Sequence, residues 1–241
     1  MHPCLSVAAA IGLLLLAPAA ASYEVTEFSG GGTITGKISV AVKGLRDESL
    51  TIGKDSAFCG GSVPAEKYLV APDGGLKNVV VMIEGIEAGK PFPSETDFVI
   101  ANKNCRFDPH VMVAPKGAMM TVRNDDPVLH NAHFYQVKSE SRKRNVVNLA
   151  LPRKGAETSK ENILHNPGLV SVECDANHFM QGWLWVLENP YGVVTDASGR
   201  FALEEVPPGS HTLRIWHEAL GEKTVDVTVE AGKTAVLNAD F

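Results

Sequence analysis

Gly168-Leu-Val-Ser-Val-Glu-Cys174-Asp-Ala-Asn-His178-Phe-Met180-Gln-Gly-Trp-Leu-Trp-Val-Leu187 reads as two strands joined by a short loop. Leu169–Glu173 and Trp183–Leu187 are short apolar runs rich in β-branched and aromatic residues, which suit a pleated, half-buried surface. The loop between them carries Cys174, His178 and Met180, so one turn delivers a thiolate, an imidazole and a thioether. A second imidazole, His130, lies upstream, where the polar turn Asn124-Asp-Asp-Pro-Val-Leu129 runs into another strand. Soft thiolate and thioether donors favour copper, and imidazole suits it in either oxidation state. His130, Cys174, His178 and Met180 are therefore the candidate metal ligands, with copper (Cu2+/Cu+) as the expected ion.

The rest of the sequence repeats the strand pattern. Thr33–Val42, Lys77–Glu84, Asp97–Ala101, Ala118–Arg123, Arg200–Leu203, Thr212–Trp216 and Thr224–Val229 are alternating or apolar runs punctuated by Gly, Pro, Asn and Asp. No window gives a long helical period. Ser159–Leu164 is the best candidate for a helical turn. Many short strands at this spacing predict an all-β chain of β-sandwiches. Lys138–Lys160 is polar and basic and is expected to loop out around one short strand, Val146–Leu151. Within it Ser139–Arg144 reads as a solvated loop, or more sharply as a docking patch for an acidic redox partner.

The chain has 241 residues, 44% hydrophobic and 21% charged, enough for one large domain or two small ones. Its net charge of −6, with no Lys/Arg-rich stripe, argues against a nucleic-acid partner. Met1–Ser22 reads as a secretory signal: Leu5–Leu16 is an apolar core too short to span a membrane, and Ala17-Pro-Ala-Ala-Ala21 offers a cleavage site. The expectation is a soluble, exported protein, cleaved near Ala21 and held in a periplasm or secreted, with no membrane insertion.

Cleavage would discard Cys4 and leave Cys59, Cys105 and Cys174. In an oxidising compartment an odd count leaves one sulfur unpaired. Cys59 with Cys105 is the natural pair, because Cys174 has a better use as a ligand. His133 lies three residues beyond His130 and falls on the opposite face of a strand, away from the same ion. His110 beside Cys105 is a candidate extra ligand, whereas His165, His211 and His217 have no clustered partners. Trp183 and Trp185 alternate on the strand leaving the loop and read as core or rim packing.

Catalytic chemistries find little support. A Cys–His nucleophile needs an activated, accessible thiolate and a cleft, and a strand ending in a crowded ligand loop is a poor match. Gly30-Gly-Gly32 leads into a strand and is no phosphate cradle. No Cys-x-x-Cys-His is present for covalent haem. The chain is not expected to be an enzyme.

With these residues in view, Phe98–Leu187 resembles the cupredoxins, above all plastocyanin-like proteins. Cys105-Arg-Phe-Asp-Pro-His-Val111 with Val113-Ala-Pro-Lys-Gly117 resembles the family's Phe-x-Pro start and Gly turn. Val122–Asn131 resembles the strand, loop and His-Asn pair that carry the first copper histidine. Gly168–Cys174 resembles the strand ending at the copper cysteine, and His178, Met180 and Gly182–Val186 resemble the remaining ligand loop and last strand. The resemblance implies His130, Cys174 and His178 as equatorial ligands and Met180 as the weak axial one. It implies that Asn131 fastens the two ligand segments and tunes the sulfur. One departure stands out. The family usually leaves two residues between Cys and the second His, with Met several residues later. Here three residues separate Cys174 from His178, and only Phe179 precedes Met180. That spacing leaves a three-ligand or non-blue site as an alternative to the full set.

Val193–Trp216 resembles the carboxypeptidase regulatory-like, transthyretin-type β-sandwich, whose first strands look like Gly32–Val40 and Val79–Gly85. The expectation is a cupredoxin domain, 96–188, inserted between sandwich halves 23–95 and 189–241. The whole resembles bacterial periplasmic methylamine-utilisation-like cupredoxin proteins. The implied function is copper-based electron transfer with an unidentified redox partner protein. The alternatives are a copper-trafficking or sensing protein, and a metal-free adhesion or carbohydrate-binding sandwich.

Overall fold

Val79-Val-Val-Met-Ile83 is buried along its whole length, which an alternating half-exposed strand would not be. Two different cores explain it. Val79, Val81 and Ile83 point into one sandwich, while Val80 and Met82 point the other way against Val111, Leu187 and Trp216. The computed structural model describes residues 23–41, 45–94 and 97–241. The expected signal segment 1–22 and the expected domain boundary at 95–96 lie outside them.

The first sandwich draws its strands from both ends of the chain. Gly32–Ser39 runs antiparallel to Arg200–Val206 and parallel to Thr234–Asp240 in a three-stranded sheet. Gly36, paired with Phe201 and Leu237, has no room for a side chain: a Cβ there would lie 1.7 Å from the Leu237 carbonyl oxygen. The facing sheet orders Gly192–Val194, Val80–Glu84, Gly209–His217 and Gly221–Val229. Ile34, Ile38, Leu76, Tyr191, Leu213 and Ile215 fill the space between the two sheets.

The second sandwich is built from 97–187. One sheet orders Glu157–Lys160, Met119–Asn124, Asp97–Asn102 and Phe107–Asp108. The other orders Arg142–Leu151, His130–Ser139, Gly168–Glu173, Gln181–Leu187 and Val111–Pro115. The two-residue period sorts the last long strand. Leu184 and Val186 enter the core of this sandwich, whereas Trp183, Trp185 and Leu187 face the first one. Trp216, from the first sandwich, meets Trp183 and Trp185 at ring-centroid distances of 5.6 and 5.7 Å. Packed aromatic contacts of this kind hold the two units together by burial and by ring-edge complementarity.

Two expectations are corrected. Ser159–Leu164 is no helical turn: Glu157–Lys160 is a strand, with Thr158 opposite Val122 and Ser159 opposite Thr121. Its alternating small polar residues suit a sheet edge, and the Thr121 and Ser159 hydroxyls hydrogen-bond at 2.8 Å. Lys138–Lys160 does not loop out either. His130–Ser139 and Arg142–Leu151 form one long hairpin, and Ser139–Arg144 is its tip.

The segment that follows Gly32–Ser39 crosses to the second sandwich. It holds a two-stranded ribbon, Ser49–Thr51 with Ser62–Pro64, and a one-turn helix, Ser56–Cys59. A disulfide joins Cys59 to Cys105, the pairing expected from the sequence, and Glu66 pairs with Arg106. The strap is thereby fixed over the end of the sandwich where the Cys174 loop lies. Among the described residues no helix is long and apolar enough to cross a membrane.

Candidate metal centre

His130 opens its strand fully buried, at the mouth of the polar turn that precedes it. The turn is built around Asp126, itself buried. Asp126 accepts backbone N–H bonds from Asn104 and Cys105, both at 2.8 Å, and stands 3.1 Å from His130 Nε2. A carboxylate already accepting two N–H groups takes a proton donor on its third side, so Nε2 carries the imidazole proton. Burial lowers the His130 pKa, against the pull of Asp126, and keeps the ring neutral. The lone pair is then on Nδ1. A carboxylate behind the ring in this way fixes the tautomer and orientation of a metal-binding histidine.

Nδ1 faces Cys174, whose sulfur is 3.8 Å away. Cys174 is 1% exposed and is the free cysteine among the described residues. Burial raises its pKa, opposed by the backbone N–H groups of Asn131, Asn177 and Ala176 around the sulfur. Those donors are arranged to favour a thiolate once a cation is present. Asn131 ties the two segments together. Its Oδ1 accepts from the Cys174 thiol at 3.4 Å and from the Ala176 N–H at 3.1 Å. Its Nδ2 donates to Asn148 and Asp175.

The loop after Cys174 is a closed turn. Met180 N donates to Asn177 O at 2.9 Å, and Cys174 N to Met180 O at 3.3 Å. Met180 is 2% exposed and belongs to the same buried cluster as Cys174. His178 is different: it is exposed, and with Phe179 and Met180 it borders a cavity of about 360 Å³ whose lining also includes Glu66 and Glu218. The structure thus brings His130, Cys174 and Met180 to one buried end of the sandwich and leaves His178 outside. The turn gives the reason. It carries Asn177 inward, and the next residue points out.

Asn177 and Asp126 are the site residues that sequence reading passed over. Asn177 is 2% exposed. Its Nδ2 lies 3.3 Å from each of three acceptors: His130 Nδ1, Leu129 O and Asp55 Oδ2 of the strap. Its Oδ1 is buried without a hydrogen-bond partner. For Asp126 the available signal was its place four residues before His130. For Asn177 there was none beyond adjacency to His178.

The other candidates fall elsewhere. His133 lies on the opposite strand face, with Nδ1 2.9 Å from Asp175 and its ring stacked on Tyr135 at 4.0 Å. His110 pairs with Glu218, whose other oxygen accepts from Trp183 Nε1 at 2.8 Å. Among the described residues, the grouping of three or more His, Cys, Asp or Glu donor atoms within 4.8 Å of one another is Cys105, Asp126 and His130. Cys105 is locked in a disulfide, so that grouping is a hydrogen-bonded support for His130, not a separate ion site.

Taken together, a neutral imidazole lone pair, a thiol ringed by N–H donors, a buried thioether-bearing residue and an unpartnered amide oxygen meet in one dry pocket. That donor set fits a soft ion such as copper.

Residues 186–241 match the carboxypeptidase regulatory-like domain family. None of the curated proteins matches the chain. Among solved structures, a reduced Cu(I) form of an amicyanin mutant is similar at 20% identity and TM-score 0.31, over 44% of this chain and 98% of that one. A dithionite-reduced auracyanin from Roseiflexus castenholzii is similar at 16% identity and TM-score 0.32, over 39% of this chain and 99% of that one. A Cu-containing nitrite reductase from Thermus scotoductus is similar at 20% identity and TM-score 0.31, over 44% of this chain and 24% of that one. The chain thus spans about a quarter of the nitrite reductase. In its fold, the chain is a pair of β-sandwiches, and the sandwich drawn from both ends of the chain holds most of the residues that match the carboxypeptidase regulatory-like family.

Proposed function

We propose that the protein is an exported copper-binding protein of cupredoxin type that transfers electrons through a mononuclear site. The observation that carries this reading is the approach of His130 Nδ1 to Cys174 Sγ at 3.8 Å, with Nε2 held by Asp126. Copper, when bound, supplies the one-electron couple. His130, Cys174 and Met180 hold it, and Asp126 and Asn131 keep the imidazole and the sulfur in place. The strap and the buried loop exclude water and limit movement of the donors between oxidation states. Exchange of electrons requires a redox partner protein, for which the basic hairpin tip with Lys138, Arg142 and Arg144 is a docking surface. The copper domain, 96–188, rides on the sandwich formed by 23–95 and 189–241.

The test is to load purified protein with copper, remove unbound metal, and compare metal content and visible spectrum with a Cys174→Ala variant. One copper per chain in the parent, lost in the variant, supports the reading. Equal copper content in both would defeat it.

A further inference from the structure

We infer that Asn177, not His178, is the loop residue that stands beside the metal, and that an amide in the place of a second imidazole biases the site toward Cu(I). The inference rests on the copper reading above and concerns which oxidation state the site prefers.

Four observations carry it. Asn177 is 2% exposed while its neighbour His178 is exposed. The Asn177 amide nitrogen stands 3.3 Å from His130 Nδ1, the ring nitrogen that carries the lone pair. The same nitrogen is held from two other sides by Leu129 O and Asp55 Oδ2, each at 3.3 Å. The amide oxygen is buried and unpartnered, and a buried acceptor left in that state is costly unless a cation or donor arrives.

Asn177 therefore fills the place beside His130 that a second imidazole would need. Bringing His178 inward would break the Met180 N to Asn177 O bond and evict Asn177 from its socket. Asp55 resists that eviction, because it precedes the helix that the Cys59–Cys105 disulfide ties to the second sandwich. What remains around an ion is one imidazole and two sulfurs, with a neutral amide where a second imidazole would stand. Thiolate and thioether ligands select Cu(I), whereas Cu(II) prefers more nitrogen and oxygen donors. Exclusion of water by the strap acts in the same direction, since it withholds the oxygen ligands that Cu(II) would recruit.

The experiment measures affinity for each oxidation state separately, by competition with a cuprous chelator under anaerobic conditions and with a cupric chelator in air. The chains are the parent, Asn177→His, His178→Ala and Cys174→Ala. Asn177→His should raise Cu(II) affinity relative to Cu(I) by about tenfold or more, the low end of what a changed coordination environment does. It should also bring in an intense thiolate-to-Cu(II) visible band. His178→Ala should leave both affinities where they were. Loss of Cu(II) affinity in His178→Ala, with no gain in Asn177→His, would overturn the inference. Unchanged copper in Cys174→Ala would instead defeat the copper reading itself, so the two failures are distinct. The parent chain gives a second readout that needs no variant to fold. On anaerobic Cu(I) addition, ¹H–¹⁵N spectra should shift the His130 ring and the Asn177 side-chain amide and leave the His178 ring unmoved. A His178 shift comparable to that of His130 overturns the assignment.

Discussion

His130 and Cys174, 44 residues apart in the chain, stand with Nδ1 3.8 Å from Sγ in a pocket closed to water. Neither residue could hold a soft ion alone at this depth. The pair can, because the strand that delivers His130 runs antiparallel to the strand that ends at Cys174.

The pair should behave as one unit under mutation. His130→Ala and Cys174→Ala should each abolish stoichiometric copper binding, and the double variant should be no worse than either. Groups in one shared site are non-additive in this way. Copper content after dialysis checks it. A single variant that keeps full copper would show that its residue is no ligand.

Asp126 should matter almost as much although it touches no ion. It orients His130 and caps the turn at Asn104 and Cys105. Asp126→Asn keeps the shape and weakens the acceptor, so copper affinity should fall about 10- to 100-fold, as it does when such supports are lost elsewhere. Chelator competition measures the drop. An unchanged affinity would mean that the tautomer is set by something else.

Much of this was legible in the sequence, for identifiable reasons. Leu169–Glu173 and Trp183–Leu187 announce strands because β-branched and aromatic residues alternate there, and the all-β class follows from the repetition of such runs. Cys174 was legible as the unpaired sulfur because the count of three is odd. The failures have a common cause in local context. Ser159–Leu164 has weak intrinsic preference, and pairing with Met120–Arg123 decides it. The hairpin 130–151 hid behind its charged tip, Ser139–Arg144. Asn177 and His178 could not be ranked, because a turn has no periodicity that tells which of two neighbours points inward. The Met180 N to Asn177 O bond and the Asn177 side-chain contacts with Leu129 and Asp55 settle that orientation.

The Cys59–Cys105 disulfide links residues 46 apart and anchors the strap. By the chain-entropy estimate, closing a loop of that length is worth about 4 kcal/mol. Cys59→Ser with Cys105→Ser should therefore lower the urea-unfolding free energy by about 2–5 kcal/mol. It should also loosen Asp55 from Asn177, making the Cys174 thiol faster to react with a thiol reagent. Unchanged thiol reactivity would show that the strap closes the site without the bond.

Glu218 joins the two sandwiches chemically, since its carboxylate serves His110 and Trp183 of the second from a turn of the first. The Glu218 and His110 side chains are only 6% and 9% exposed. Glu218→Ala leaves both donors buried without their partner and should cost about 3 kcal/mol, the low end for breaking a buried pair. Tryptophan emission should shift as Trp183 loses its acceptor. An unshifted spectrum with full stability would mean that the three-tryptophan contact alone holds the junction.

His217 should set part of the acid limb of stability. It is 1% exposed, its Nε2 has no partner, and its ring lies beside Tyr68 and Phe241, each at a centroid distance of 6.1 Å. Burial lowers its pKa; Glu218 and the Lys67 backbone pull it back up, and His110 pushes it further down. The folded state therefore binds the proton less readily than the unfolded chain, whose histidine titrates near 6.5. The sign follows: stability is complete above about pH 6.5 and falls as pH drops toward the folded-state pKa, by about 1.4 kcal/mol per pH unit crossed. Buried His130 adds to the slope in the same window. His217→Phe keeps an aromatic ring in the slot and removes the titration, so its urea-unfolding free energy should drop less between about pH 7 and about pH 5 than that of the parent. Parallel curves for the two chains would assign the acid sensitivity to other groups.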